Sequence, residues 1–174
     1  MTTDTERLLN FYRGQKPDSA GRNIEQIWNW DYNPLESTHD YIQWLFPLKQ
    51  PSPVNPQAPI LNPEVIEIFR NSQELRSRLL KSFLVMLDFY GLQCQDSNPN
   101  AVIITQAENY SERQANWLRR GNHNFLRITR ILTCLHILGL EKYAIAFLDC
   151  LKQIYQTDAQ IIGEVTYRYW NNAI

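Results

Sequence analysis

Residues 122–139 read NHNFLRITRILTCLHILG, and apolar side chains recur through them with the period of an α-helix. On a wheel of about 100° per residue, Arg127 and Arg130 share one stripe with His123. Leucine and isoleucine lie on both sides of that stripe, an arrangement that a surface helix would not show. We therefore predict a central helix over residues 123–138, with its arginines at least partly enclosed.

Helical periodicity recurs along most of the chain. The predicted helices cover 3–13, 37–46, 72–91, 105–120, 123–138 and 141–156, with shorter helical turns after Asn23 and Asn62 and at the C-terminus. No alternating strand pattern is evident, and residues 94–102, CQDSNPNAV, are predicted to form a loop. The expected fold is all-α, a single compact domain over residues 1–174 with about seven to nine helices.

Local capping signals set several of these boundaries. Ser37 is a good N-cap residue, and Asp40, three positions later, resembles a capping box with Asp in place of Glu. Pro47 disfavours helical dihedrals at the residue before it and ends that helix. Asn62 and Pro63 are predicted to be the N-cap and the first residue of the next helix.

A proline-rich segment, residues 47–63, separates two helical regions. It reads PLKQPSPVNPQAPILNP and contains six of the nine prolines, so it is predicted to be an extended arm. It could be a ligand for a proline-recognising module or an ordered strap laid over the domain. The strap would be held by the apolar residues Leu48, Val54, Ile60 and Leu61, whose regular spacing favours it over an unattached linker.

The composition is that of a globular intracellular protein. The chain has 174 residues, 44% of them hydrophobic and 12% aromatic, and a formal net charge of -1, which excludes a general attraction to nucleic acid or anionic lipid. Three cysteines without CxxC spacing favour a reducing compartment. The N-terminus lacks the features of a secretion signal, and no apolar run reaches the roughly 18 residues that span a bilayer. We expect a soluble, cytoplasmic protein without membrane insertion.

Charge is unevenly distributed along the chain. Residues 113–140 contain five arginines and no Asp or Glu. An enclosed guanidinium is costly unless it is paired. One possible partner is an internal carboxylate such as Asp40, Glu36 or Asp31, which would make a structural ion-pair network. The other is a bound anion, such as a phosphate, a carboxylate or the acidic end of a peptide.

A second interpretation of the same segment is a basic patch. Arg113, Arg119 and Arg120 would then lie exposed, with Trp117 available to stack on a base or ring. Such a surface would bind nucleic acid or an acidic protein, with an affinity that falls steeply as the salt concentration rises.

Signals for metal binding and catalysis are weak. His39, His123 and His136 have no metal-ligand spacing, and His136 lies on the apolar side of its helix, where a core histidine is expected. Phosphate-binding glycine loops and nucleophile elbows are absent from the sequence. We predict no metal and no cofactor, and the remaining enzymatic interpretation is an unrecognised activity using His39 and Asp40.

Several motifs resemble a known family. They are STHDYIQWLFPL (37–48), SQELRSRLLKSFLVMLDFYGL (72–92), NYSERQANW (109–117) and HNFLRITRILTCLHILGLE (123–141), together with NFYRGQ and WNWDYNPLE nearer the N-terminus. In this order and at these separations they resemble the conserved region of the opioid growth factor receptor family. The resemblance implies an all-helical domain and, from the animal members, a receptor for an enkephalin-type pentapeptide that is associated with the nucleus.

These observations lead to one predicted binding pocket. It lies between the helix containing YIQW and the helix containing LRITR and takes a small anion or a short peptide. The predicted ligand-binding residues are His39, Tyr41, Gln43, Tyr110, His123, Asn124, Arg127 and Arg130.

Overall fold

The computed structural model describes residues 3–98 and 101–174. The chain divides into two compact units, Met1–Ser82 (unit 1) and Phe83–Ile174 (unit 2), which are described for these residues only. The division falls inside one long helix. The prediction of a single domain stays a prediction.

Unit 1 is helical throughout its regular structure. Its helices are α1 Asp4–Tyr12, α2 Ile24–Trp28, α3 Tyr32–Ser37, α4 Ile42–Leu45, α5 Pro63–Asn71 and the first part of α6 Gln73–Tyr90. Helix α1 packs against α4 and α5. The Phe11 ring lies 5.1 Å from Trp44, and the Tyr12 ring lies 5.1 Å from Phe69. All four rings are buried, so both contacts belong to the core of unit 1.

The helix starts agree with local capping chemistry. Thr3 accepts a hydrogen bond from the Glu6 amide at 3.2 Å, and Glu6 accepts one from the Thr3 amide at 2.9 Å, which completes a capping box. Asn62 accepts from the Val65 amide at 2.9 Å, with Pro63 as the first helical residue. The predicted start of α5 is therefore confirmed.

The proline-rich arm has no regular structure and is tied down at several points. The Leu61 amide donates to the Leu48 carbonyl at 2.9 Å, and Arg7 of α1 donates to the Gln57 carbonyl at 2.7 Å. Leu61 is buried, but Val54 is 67% exposed and does not hold the arm as predicted. Backbone and side-chain hydrogen bonds thus attach the arm to unit 1.

Unit 2 contains the rest of α6, a β-hairpin and four further helices. These elements are β1 Leu92–Asn98, β2 Ala101–Gln106, α7 Tyr110–Trp117, α8 Asn124–Ile137, α9 Glu141–Ile162 and α10 Glu164–Asn171. Helix α9 packs against β2, α8 and α10, and non-helical backbone at Asp158 kinks it. The mostly helical prediction is confirmed, and α8 lies where its periodicity placed it.

The hairpin corrects the all-α prediction and the predicted loop at 94–102. The strands are antiparallel, with Cys94 opposite Ile104. Residues 102–105 are all β-branched, a composition that favours a pleated strand, and Ile104 is buried. The predicted helix over 105–120 is consequently shortened to α7. Residues 99 and 100 of the predicted loop lie outside the described residues.

Helix α10 is anchored on its neighbours by aromatic side chains. The fully buried Trp170 donates its indole N–H to the Phe125 carbonyl of α8 at 3.1 Å. Tyr167 stacks on Tyr155 of α9 with ring centroids 3.9 Å apart. These two contacts fix α10 against both helices.

Candidate functional site

The predicted pocket residues of unit 1 differ in burial. Tyr41 is fully buried and donates its hydroxyl to the Leu35 carbonyl at 2.7 Å, so it is a core residue. His39 is exposed. Gln43 is 5% exposed, and its amide nitrogen donates to the His39 carbonyl at 3.2 Å. Among the described residues, the Gln43 amide oxygen has no hydrogen-bond donor.

The capping box predicted from Ser37 and Asp40 is wrong. Ser37 is the last residue of α3 rather than the cap of the next helix, and its hydroxyl donates to the Asn33 carbonyl at 2.9 Å. The Asp40 carboxylate accepts a hydrogen bond from Arg22 at 2.7 Å. Asp40 therefore pairs with Arg22, 18 positions away, instead of capping a helix as the local motif predicted.

Arg22 is the centre of an ion-pair network in unit 1. It bridges Asp40 and Asp18 at 2.7 Å each, and the Asp18 side chain is completely buried. Burial opposes the charge on Arg22, but hydrogen bonds and attraction from Asp18 and Asp40 outweigh it and raise the pKa of Arg22. Asp40 therefore has a structural role, which weakens the enzymatic interpretation based on His39 and Asp40.

The other five predicted pocket residues belong to unit 2. Arg127 is 5% exposed, Arg130 is half-buried, and Asn124 is fully buried at the start of α8. The predicted enclosure of the arginines is confirmed. The Arg127 guanidinium donates a hydrogen bond to the Asn124 side-chain oxygen at 3.5 Å. Burial lowers the pKa of Arg130, although the neighbouring Cys134 thiol partly opposes this.

Local acceptors, the Asn122 side chain and two backbone carbonyls, already engage the donors at the start of α8. Asn122 accepts hydrogen bonds from the Asn124 backbone amide at 2.9 Å and from its side-chain amide at 3.0 Å. The amides of residues 125–127 donate to the Asn122 and His123 carbonyls. These bonds leave less donor capacity for an anion than an uncapped helix end would offer.

Tyr110 is buried in α7. Its hydroxyl has no hydrogen-bond partner among the residues that the structure describes. Burial, with smaller contributions from Asp158 and Cys150, raises the pKa of Tyr110 to about 12. Of the eight predicted ligand-binding residues, three lie in unit 1 and five in unit 2, and the shared pocket stays a prediction.

The predicted exposed basic patch is wrong for two of its four residues. Arg113 is 5% exposed and Trp117 is fully buried, whereas Arg119 and Arg120 are exposed. Arg113 donates to the Phe89 carbonyl at 2.9 Å and lies 5.2 Å from the Phe89 ring centre. A backbone carbonyl and an aromatic face thus stabilise a buried guanidinium.

Trp117, for which base stacking and a core position were both open, is a core residue, whereas the prediction for His136 is wrong. Trp117 donates its indole N–H to the Tyr90 carbonyl at 3.0 Å and packs on the Tyr90 ring, so it cannot stack on a base. His136, predicted to be a core histidine, is exposed. Its neighbour Leu135 takes the buried position instead.

A groove that the sequence did not predict runs along α5. It has a volume of about 560 Å³ and is bounded by Lys49 of the arm. Its apolar lining residues are Leu61, Pro63 and Ile66, and the charged Glu67 and Arg70 also line it. The only sequence signal was the outer face of α5, where residues 63, 66, 67 and 70 follow helical spacing. On this face the apolar Pro63 and Ile66 lie next to the charged Glu67 and Arg70.

Membrane-spanning helices and metal-binding clusters are both absent from the described part of the chain. No helix within residues 3–98 and 101–174 is long and apolar enough to cross a bilayer. The same residues contain no group of three or more His, Cys, Asp and Glu side chains placed to hold a metal ion.

Comparison with known proteins gives a consistent result. The family described as "Opioid growth factor receptor (OGFr) conserved region" matches residues 2–174. The opioid growth factor receptor of Mus musculus is 47% identical over 139 residues, which are 78% of this chain and 21% of that protein. The Homo sapiens receptor is 42% identical over 139 residues, covering 78% of this chain and 20% of its own length.

A related protein shows the same pattern. Opioid growth factor receptor-like protein 1 of Xenopus tropicalis is 42% identical over 141 residues, covering 78% of this chain and 26% of that protein. No solved structure matches the chain. The chain spans about a fifth to a quarter of the length of these relatives. By the extent of the family match and these identities, the chain belongs to the opioid growth factor receptor family.

Proposed function

We propose that this chain is a ligand-binding module that takes a short peptide in the groove along α5. The observation that carries the proposal is the groove itself, whose volume of about 560 Å³ is ample for a few residues of extended chain. Ligand sites in proteins are typically clefts of roughly 300–1,000 Å³ with an apolar lining and a few polar groups. The apolar strip of Leu61, Pro63 and Ile66 would accept an apolar or aromatic side chain.

Charge at the groove favours a peptide with a carboxylate. Lys49 and Arg70 contribute two positive charges to the lining, against one negative charge from Glu67. A guanidinium and an ammonium suit a terminal or side-chain carboxylate. The relatives carry the name of a receptor for opioid growth factor, which makes an enkephalin-type pentapeptide the first ligand to try.

The arginines of α8 remain the alternative position for a ligand. Arg127 and Arg130 are enclosed, and a small anion there stays a prediction. Nucleic-acid or acidic-protein binding depends now on Arg119 and Arg120 alone, since Arg113 and Trp117 are buried. We place the module in the cytoplasm, a proposal supported by its three free cysteines, of which Cys134 and Cys150 are buried.

Fluorescence anisotropy with a labelled enkephalin-type pentapeptide and a scrambled control would test the proposal. Ile66→Glu and Arg70→Gln should each weaken binding by about tenfold or more, because one removes apolar contact and the other a charged hydrogen bond. Val54→Glu and Arg13→Gln are the matched controls on exposed positions elsewhere in unit 1 and should bind like the wild type.

Three results would count against the groove. Binding of the scrambled peptide with equal affinity would show that the association is not specific. Equal losses in the groove variants and their controls would remove the groove as the site. Binding that is abolished by Arg130→Gln and unaffected by Ile66→Glu would move the site to α8.

A further inference from the structure

A second, smaller pocket in unit 1 lies between α1, the loop after α1 and α4. It has a volume of about 210 Å³ and is separate from the α5 groove in its lining residues. Arg7 and Asn10 come from α1, Lys16 and Ser19 from the loop, and Trp44 from α4. At about 30 Å³ per water, the pocket has room for roughly seven waters or one small solute.

Arg7 is held in place at this pocket. It donates to Asp4 at 3.0 Å and to the Gln57 carbonyl at 2.7 Å, and it lies 3.4 Å from the Ser19 hydroxyl. Its guanidinium sits 5.2 Å from the Trp44 ring centre. Because these contacts fix the side chain before any ligand arrives, binding at this arginine costs little conformational entropy.

The pocket has one acidic lining residue, Asp18, and its oxygens are already engaged. One oxygen accepts the amides of Ala20 and Arg22 at 2.9 Å each. The other accepts the Arg22 Nε and Nη2 groups at 2.7 Å each. A carboxylate has about four lone-pair sites, so these four donors leave Asp18 no capacity for a cation or a further donor. Arg22 also offsets its charge.

The remaining polar groups of the lining are mainly donors. Trp44 is 2% exposed, and its indole N–H has no acceptor among the described residues. A buried indole N–H normally has a hydrogen-bond partner. Lys16 adds an exposed ammonium group, and Asn10 adds an amide. A ligand rich in acceptors and negatively charged would match this lining.

We propose that the pocket binds a small oxyanion with the chemistry of a phosphate group. Lys16 and Arg7, whose charge Asp4 partly offsets, supply the positive charge, and the ligand lies against the Trp44 side chain, whose indole signal reports its binding. This site does not depend on peptide binding at the α5 groove, because the two sites share no lining residue.

Nuclear magnetic resonance of the ¹⁵N-labelled full chain tests the proposal directly. The chain has five tryptophans, and Trp44→Phe identifies which indole signal belongs to Trp44. Sodium phosphate is titrated at constant ionic strength maintained with sodium chloride, and sodium acetate is titrated in parallel. We expect a saturable shift of the Trp44 indole signal with phosphate, at concentrations where acetate causes none.

Two lysine variants make the result specific to the pocket. Lys16→Gln should weaken phosphate binding by about tenfold, because it removes a charged hydrogen bond at an exposed position without disturbing the core. Lys142→Gln removes the same charge from an exposed position in α9 and should leave the affinity unchanged. No saturable shift with phosphate, an equal response to acetate, or an equal effect of the two lysine variants would each overturn the proposal.

Discussion

The two units bury arginine side chains by different chemistry. In unit 1, Arg22 bridges two carboxylates, and one of them, Asp18, is itself completely buried. In unit 2, Arg113 and Arg127 come from a stretch that contains no acidic residue and donate to a backbone carbonyl and to an asparagine. The first arrangement pairs a guanidinium with carboxylates, one of them buried, whereas the second includes hydrogen bonds from guanidinium groups to neutral acceptors.

The difference predicts how each unit responds when its arginine is removed. Loss of Arg22 leaves a buried charge without its counter-ion, which is expensive. Loss of Arg113 removes a hydrogen bond from the neutral Phe89 carbonyl and a contact with the Phe89 ring, and a neutral acceptor tolerates such a loss better than a buried carboxylate does. Arginine burial in unit 1 is therefore expected to matter more for stability than arginine burial in unit 2.

Arg22→Leu should have the largest effect. We expect the free energy of unfolding to fall by about 3 to 5 kcal/mol, because the Asp18 carboxylate keeps its backbone donors but loses its counter-ion. Urea unfolding followed by circular dichroism would measure it. Arg13→Leu, at an exposed position, is the control and should change stability by about 0.5 kcal/mol at most. A loss below about 1 kcal/mol in Arg22→Leu would remove the contrast between the units.

Gly91→Ala tests how closely unit 2 packs around Arg113. Gly91 has φ +75°, and an added Cβ would lie 2.8 Å from the Arg113 Cβ and 2.9 Å from the Tyr110 Cα. Backbone strain and overpacking together should cost about 2 to 4 kcal/mol in the same unfolding assay. Gly21→Ala, at φ +81° with nothing within 4 Å, carries only the strain and should cost about 1 to 2 kcal/mol.

Equal losses in these two glycine variants would contradict the close packing. The difference between them, rather than either value alone, measures the contact of Gly91 with Arg113 and Tyr110. A larger loss in Gly21→Ala would show that the strain terms of the two positions are not comparable.

Arg113→Met should have a moderate effect. It keeps much of the apolar stem but removes the hydrogen bond to the Phe89 carbonyl and the contact with the Phe89 ring. We expect a loss of about 1.5 to 3 kcal/mol, the range for hydrogen bonds of charged groups. The exposed Arg119→Met is its control. A loss as large as that of Arg22→Leu would mean that the two units do not differ as proposed.

Much of the helical structure was predictable because its signals are local. The capping residues Asn62 and Pro63 act within one turn, and the apolar period of α8 extends over about four turns. The folded chain therefore has both the predicted start of α5 and the predicted helix α8. The hairpin was missed because residues 102–105 are too few to separate a strand from a buried helix segment by periodicity. Pairing with β1 supplies what the local pattern lacks.

The errors at the candidate site have one physical source, which is competition from distant partners. Asp40 matched a capping motif, but Arg22 lies 18 positions away and binds the carboxylate. Arg113 and Trp117 belong to a polar helix, but their side chains donate to distant backbone carbonyls. Arg113 donates to Phe89, 24 positions away, and Trp117 donates to Tyr90, 27 positions away. The groove and the small pocket arise from shape, which composition and spacing do not encode.

Tyr110→Phe should show the smallest effect at neutral pH and a distinct one in alkali. Burial raises the pKa of Tyr110 to about 12, above its ordinary value near 10, so the folded chain holds this proton more firmly than the unfolded chain. The corresponding stability is complete below pH 10 and is lost as the pH rises towards 12. Burial also raises the pKa of Cys150 to about 11. The chain with Tyr110 and the chain with Tyr110→Phe are therefore compared in a Cys150→Ala background. Urea unfolding at pH 8, 10 and 11 should show a shallower alkaline decline for Tyr110→Phe. Equal declines would mean that the hydroxyl is ionised as readily in the folded chain as in the unfolded one.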